Sequence, residues 1–239
     1  MKHSLSYDPP FENNKSDNLD ILDILDKAIL DEDTIEIIST YIGSDDVYVY
    51  DRLIHLINTH VNGHKVNKIH LYETCFNGEV DAAKLFKIHS LTELQIDSDI
   101  FPTNEEQLEE FCDSIKQNKT LNKLRIIWNM DYEDDNMHYC YLLLNAIKES
   151  NIETLDMFFD QDIDHKVLKE LCSNTKLKKI HITGGLWDEL DEYPNKIISS
   201  LKLLNNNRNL EQIEFSEWNI EENILKKLPK KLLQKIKYQ

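Results

Sequence analysis

One six-residue apolar phrase occurs six times in this chain, and its spacing restricts the folds that are available. Each copy carries apolar residues at its first, fourth and sixth positions and polar residues between them. The copies occupy residues 66–71, 91–96, 121–126, 152–157, 177–182 and 210–215. Their first residues lie 25, 30, 31, 25 and 33 residues apart. Self-similarity at such a period indicates stacked repeats, each of which buries its apolar face only against its neighbours.

Each repeat is predicted to contain one strand and one helix. Alternation within the phrase is typical of a short strand with positions one, four and six buried and positions three, five and seven pointing outward. The region after it has helical spacing, as in residues 105–118, where Thr103 and Glu106 form a candidate capping box. Successive strands separated by a helix must run parallel, because a hairpin is too short to contain one.

The phrase, a small polar residue at the ninth position and the helical second half together resemble the leucine-rich repeat family. The ninth-position residues are Thr74, Asp99, Asn129 and Asp160, with Gly185 and Trp218 as departures. The resemblance covers residues 60–220 and is to the longer, helix-bearing type of ribonuclease-inhibitor-like and F-box-associated proteins. It implies an α/β solenoid with parallel inner strands, outer helices and helical caps. It also implies non-catalytic protein recognition on the concave, strand-lined surface.

The regions outside the repeats receive separate predictions. Residues 1–17 are expected to be a disordered lead-in, 63–220 the repeats, and 221–239 a basic capping helix with six lysines and two glutamates. Residues 18–62 have two interpretations. They are a helical cap or degenerate repeat, since Thr34 lies 32 residues before Val66. Alternatively, the apolar pattern of 29–42 resembles an F-box, which implies a ubiquitin-ligase substrate adaptor that binds a Skp1-like protein through residues 19–60.

Composition excludes several classes of function. A net charge of −17 argues against nucleic acid as the main partner, and no apolar run is long enough for a membrane span. The start of the chain lacks the apolar stretch of a secretory signal. Spacing puts Cys112, Cys140 and Cys172 at equivalent helical positions, 19 to 21 residues after their phrase begins. With Cys75 they are scattered, which favours a reducing, intracellular (cytoplasmic) setting. We expect a monomer.

Chemistry-bearing motifs are not found in the sequence. His55, His60 and His64 are close together, but Gly63 indicates a loop and no acid completes a ligand set. The acidic clusters do not match a calcium loop. The pair Gly184-Gly185 lacks a following Lys-Ser/Thr and is expected to bend the chain after the fifth strand. We therefore predict no catalytic site, no metal and no cofactor.

The outward strand positions are the predicted partner-binding site. Aromatic residues and an arginine at the centre of a patch are typical of binding hot spots. The predicted site consists of Tyr72, Asp97, Arg125, Ile127, Trp128, Asp156, Phe158, Phe159 and His181. In this prediction Trp128 and Phe158 are the central anchors. The competing interpretation is that Trp128 and Phe159 turn inward and pack under the following loop.

Overall fold

The chain has an α/β architecture in which parallel strands alternate with helices. The computed structural model describes residues 4–6, 34–40, 54–55, 67–74, 83–97, 104–128, 134–159, 165–184, 194–216 and 225–238. The chain divides into two compact units, Met1–Leu121 and Asn122–Gln239. None of the helices in the described ranges is long and apolar enough to cross a membrane.

The first unit contains four described strands that pair in sequence order, every pair parallel. The strands are β1 (Ser4–Ser6), β2 (Thr34–Thr40), β3 (Lys68–Thr74) and β4 (Glu93–Asp97). The helices are α1 (Ala83–Phe86) and α2 (Glu105–Gln117). Helix α2 begins one residue later than the predicted capping box, because Asn104 is its N-cap and accepts the Gln107 N–H at 2.9 Å.

The second unit contains five described strands, again parallel and in sequence order. The strands are β5 (Lys123–Trp128), β6 (Thr154–Phe159), β7 (Lys179–Thr183), β8 (Gln212–Ser216) and β9 (Ile236–Tyr238). The helices are α3 (Asp134–Glu149), α4 (His165–Ser173), α5 (Pro194–Leu203) with a 3-10 turn at Leu204–Asn206, and α6 (Lys230–Leu233).

The apolar positions of the phrase lie in register across the second unit. The fourth-position residues form one row, continued by Ile236 of β9: Leu124, Leu155, Ile180, Ile213. The sixth-position residues form the next row: Ile126, Met157, Ile182, Phe215. All are buried. Burying one such side chain contributes about 1.5–3 kcal/mol, and the predicted inward direction of both positions is confirmed here.

The three described cysteines lie on helices, as their spacing predicts. Cys112, Cys140 and Cys172 are buried free thiols on α2, α3 and α4. Burial raises the pKa of the Cys112 thiol to about 11 and that of Cys140 to about 12. These thiols behave as small apolar fillers of the core. Cys75 lies outside the described residues.

A buried polar residue closes the return from helix to strand in four copies, which the sequence analysis missed. The residues are Asn118, Ser150, Asn174 and Asn207, two or three positions before the phrase begins. The Asn207 side chain accepts the N–H groups of Asn209 and Leu210 at 2.9 and 3.1 Å. Its amide donates to the carbonyls of Asn174 and Leu177 at 3.1 and 2.6 Å. It therefore ties its own return loop to that of the preceding copy.

The bend predicted after the fifth phrase is present at Gly184. This residue follows β7 directly and has φ of 71°, in the left-handed region where glycine carries no steric penalty. Its N–H donates to the carbonyl of Ser216 at 3.2 Å. Gly185 lies outside the described residues.

The two ends differ from the predictions where they are described. Ser4–Ser6 form a strand, so a disordered lead-in is wrong for these three residues. Thr34–Thr40 also form a strand, paired in parallel with β3, where the F-box interpretation needs helix. At the other end, the predicted capping helix is reduced to the four residues of α6, and β9 then joins the sheet beside β8. Pro229 precedes α6 and limits its length in the N-terminal direction.

Candidate functional site

The candidate site is the outward face of the second unit, defined as the side chains of β5–β9 on the side opposite the buried rows. Cross-strand register arranges them in rows. One row is charged: Arg125, Asp156, His181, Glu214, Lys237. The next begins with apolar and ends with hydroxyl groups: Ile127, Phe158, Thr183, Ser216. A third row, nearer the strand starts, is Lys123, Thr154, Lys179, Gln212.

The placement of Trp128 and Phe159 on this face was wrong. Both are buried, with 3% and 2% of their surface exposed. Strands β5 and β6 continue through the eighth phrase position, so the alternation that buries positions four and six also turns position eight inward. The aromatic residue that remains on the outward face is Phe158, which pairs with Ile127 across the two strands.

A charged cluster stands beside this apolar pair. The Arg125 Nε lies 3.4 Å from Asp156 Oδ2, and His181 Nδ1 lies 3.2 Å from Asp156 Oδ1. Asp156 is only 17% exposed, whereas Arg125 is 41% and His181 33% exposed. Three predicted site residues are thus brought together around one carboxylate, with the two cationic groups on either side of it.

The other nitrogen of His181 meets hydroxyl groups. Nε2 lies 2.9 Å from Ser216 Oγ and 3.3 Å from Thr183 Oγ1. Asp156, His181 and Ser216 therefore present the atom types of a serine-nucleophile triad. However, Asp156 Oδ1 does not meet hydrogen-bond geometry with the imidazole despite the 3.2 Å distance. Because orientation of the base by that hydrogen bond is essential to a triad, we interpret the contacts as holding the His181 ring in place.

The acidic side chains of the face are engaged within it. Asp156 lies between Arg125 and His181, and Glu214 Oε2 accepts from Gln212 Nε2 at 2.9 Å. Glu214, Ser216 and Lys179 were not among the predicted site residues, although positions three, five and seven of the phrase contain them. Lys237 was missed because its segment was predicted to be helical.

The first unit repeats the theme of a carboxylate between two bases. Glu93 lies 3.6 Å from Lys68 and 3.3 Å from His70 on the neighbouring strand. Two predicted site residues, Tyr72 and Asp97, belong to β3 and β4, but their side chains lie outside the described part of the chain.

Nothing in the described part of the chain arranges three or more His, Cys, Asp or Glu side chains to hold a metal ion. His60 and His64 lie outside the described residues, and His55 is exposed. The face therefore offers hydrogen bonds, charge and one apolar pair, which is the chemistry of binding.

Neither a scan against protein-family models nor a search of curated proteins gives a match to this chain.

Proposed function

We propose that this chain is a leucine-rich-repeat solenoid that recognises a protein partner and catalyses no reaction. The partner contacts the outward face of β5–β8. The observation that carries the proposal is the pair of Ile127 and Phe158, two large apolar side chains left half-buried on the polar side of the sheet. Exposed apolar groups that cluster in this way mark contact surfaces, and aromatic anchors dominate binding energy.

The mechanism that we propose is rigid presentation of side chains. Neighbouring parallel strands hold outward residues about 4.8 Å apart, and buried rows on the other side keep the strands in register. The Arg125–Asp156–His181 cluster is formed without a partner, so little side-chain ordering is needed on binding. Phe158 takes the central role that the sequence assigned to Trp128.

An intracellular setting fits the same proposal. Cys112, Cys140 and Cys172 are all free thiols, and free thiols are typical of reducing compartments. The adaptor function is not proposed, because an F-box-like module needs helix where β2 forms a strand at Thr34–Thr40.

The proposal is tested by affinity capture with the full chain and an Ile127→Ala, Phe158→Ala double variant. Loss of the apolar pair should weaken a partner by about 2 kcal/mol or more, which is roughly 30-fold in Kd. The readout is the Kd of each captured protein, after its purification, for both forms of the chain.

The matched control is a Leu142→Ala, Leu203→Ala variant, since both leucines are half-buried on helices α3 and α5. It removes similar apolar volume from the helical side and should leave Kd unchanged. A partner that loses affinity in the control and keeps it in the Ile127, Phe158 variant would show that the wrong surface is assigned.

A further inference from the structure

We infer that the partner segment that binds the outward face is acidic and extended, with one apolar side chain that contacts Ile127 and Phe158. The inference rests on the proposed function and names the chemistry of its partner.

The first observation is the sign of the charge on this face. Its rows contain four basic side chains (Lys123, Arg125, Lys179, Lys237) and two carboxylates, Asp156 and Glu214. The chain as a whole carries −17. A cationic face on an acidic chain repels basic partners from every other direction and attracts acidic ones to one place.

The second observation is how the two carboxylates are used. Asp156 lies between Arg125 and His181, and Glu214 accepts a hydrogen bond from Gln212. A basic partner would have to compete with these contacts. An acidic partner meets Lys179, whose side chain is exposed, and Arg125, which is 41% exposed. Complementarity therefore favours carboxylates on the partner.

The third observation is the distance between charge and apolar pair. Lys123 and Lys179 flank Thr154 in one row, two strand spacings or about 10 Å apart. Phe158 lies four residues further along β6, which corresponds to about 13 Å. An extended segment above β6 covers that distance in four residues, so it would place an acidic residue near the lysines and an apolar residue four positions away over Phe158.

Two other occupants are compatible with a cationic face. Nucleic acid would supply phosphates, but it has no apolar side chain for Ile127 and Phe158, and its affinity would be opposed by the net charge of the chain. A second copy of the chain would supply carboxylates. Both are outcomes of the test.

The test is fluorescence anisotropy with the full chain and an end-blocked, fluorescein-labelled 12-residue peptide. The peptide carries two glutamates and, four positions after the second, a phenylalanine. Two companion peptides replace the glutamates by lysine or the phenylalanine by alanine. We expect the acidic peptide to bind most tightly and to lose affinity when NaCl is raised, because exposed charge pairs are screened by salt.

The variant that tests the charge is Lys179→Glu, and Lys202→Glu on α5 is its control, since both lysines are exposed. Reversal at Lys179 should weaken the acidic peptide about tenfold, and reversal at Lys202 should leave its Kd within about twofold. The inference is overturned by equal effects of the two variants, by equal or tighter binding of the lysine peptide, or by no binding below ~1 mM. Tighter binding of a labelled oligonucleotide that Lys179→Glu abolishes would also overturn it, as would a dimer in sedimentation that Lys179→Glu dissociates.

Failure of this inference is distinguishable from failure of the proposed function. If a captured partner depends on Ile127 and Phe158 but is indifferent to Lys179→Glu, the face binds a partner and the acidic chemistry is wrong. If neither the double variant nor Lys179→Glu changes capture, the surface itself is wrongly assigned.

Discussion

Two neighbouring phenylalanines of β6 have opposite roles. Phe158 is half-buried on the outward face, and Phe159 is 2% exposed on the buried one. Successive side chains of a strand point to opposite faces, so one position along the backbone separates a binding residue from a core residue. The same alternation buries Trp128 and leaves Ile127 outward.

This difference gives a prediction for stability. Phe159→Ala should lower the free energy of unfolding by about 3–5 kcal/mol, because it leaves a cavity in the core. Phe158→Ala should cost clearly less, about 1 kcal/mol, because its site is already in contact with water. Urea unfolding followed by circular dichroism measures both. Equal losses, or a larger loss at Phe158, would contradict the assigned directions of the two side chains.

At the scale of the element, the return from helix to strand depends on one buried side chain in each copy. Asn118 and Asn207 both accept two backbone N–H groups of their own loop and donate to a carbonyl of the preceding loop. An apolar residue at this position would leave those buried backbone groups without partners, which costs more than the hydrogen bonds themselves contribute.

Asn207→Ala should therefore destabilise the chain by about 2–3 kcal/mol. The neighbouring Asn206→Ala is a matched control, since Asn206 is exposed at the end of the 3-10 turn, and it should change stability by less than about 0.5 kcal/mol. Thermal or urea unfolding of both variants gives the comparison. Similar losses for the two would mean that the buried hydrogen bonds of Asn207 contribute little.

The elements that could be predicted are those in which the phrase repeats. Its alternation predicted β3–β8, their parallel direction and the buried positions. β2 and β9 lack the phrase, and leucines at helical spacing hid the strand of Ile236–Tyr238. The buried asparagines were missed because a single polar residue before an apolar phrase has no periodic signal. Cross-strand contacts such as His181 with Ser216 depend on register between copies 35 residues apart, which no local pattern contains.

At the scale of the whole molecule, burial of thiols links stability to pH. The pKa of Cys140 rises from 9.0 to about 12 and that of Cys112 to about 11 when the chain folds. A group with a raised pKa stabilises the folded state fully below its unfolded pKa and loses that contribution as pH rises towards the folded pKa. Each of these thiols therefore reduces stability progressively above pH 9.

Replacing Cys140 by alanine should flatten this dependence. Between pH 8 and pH 10 the free energy of unfolding of the variant should fall by about 1.4 kcal/mol less than that of the unmodified chain. Urea titrations at pH 8, 9 and 10 under reducing conditions measure the difference. Tyrosines and lysines titrate in both proteins and cancel in the comparison, so parallel curves would contradict the burial of an un-ionised thiol at Cys140.

The alternation within each strand has a consequence for how such a chain can change over generations. Residues that maintain the architecture and residues that meet a partner occupy different faces of the same strands, so substitutions at Arg125, Asp156 or Phe158 need not disturb Leu124 or Met157. Specificity can therefore drift one side chain at a time while the scaffold persists. A lineage in pursuit of a changing target would keep its interior and rewrite its exterior.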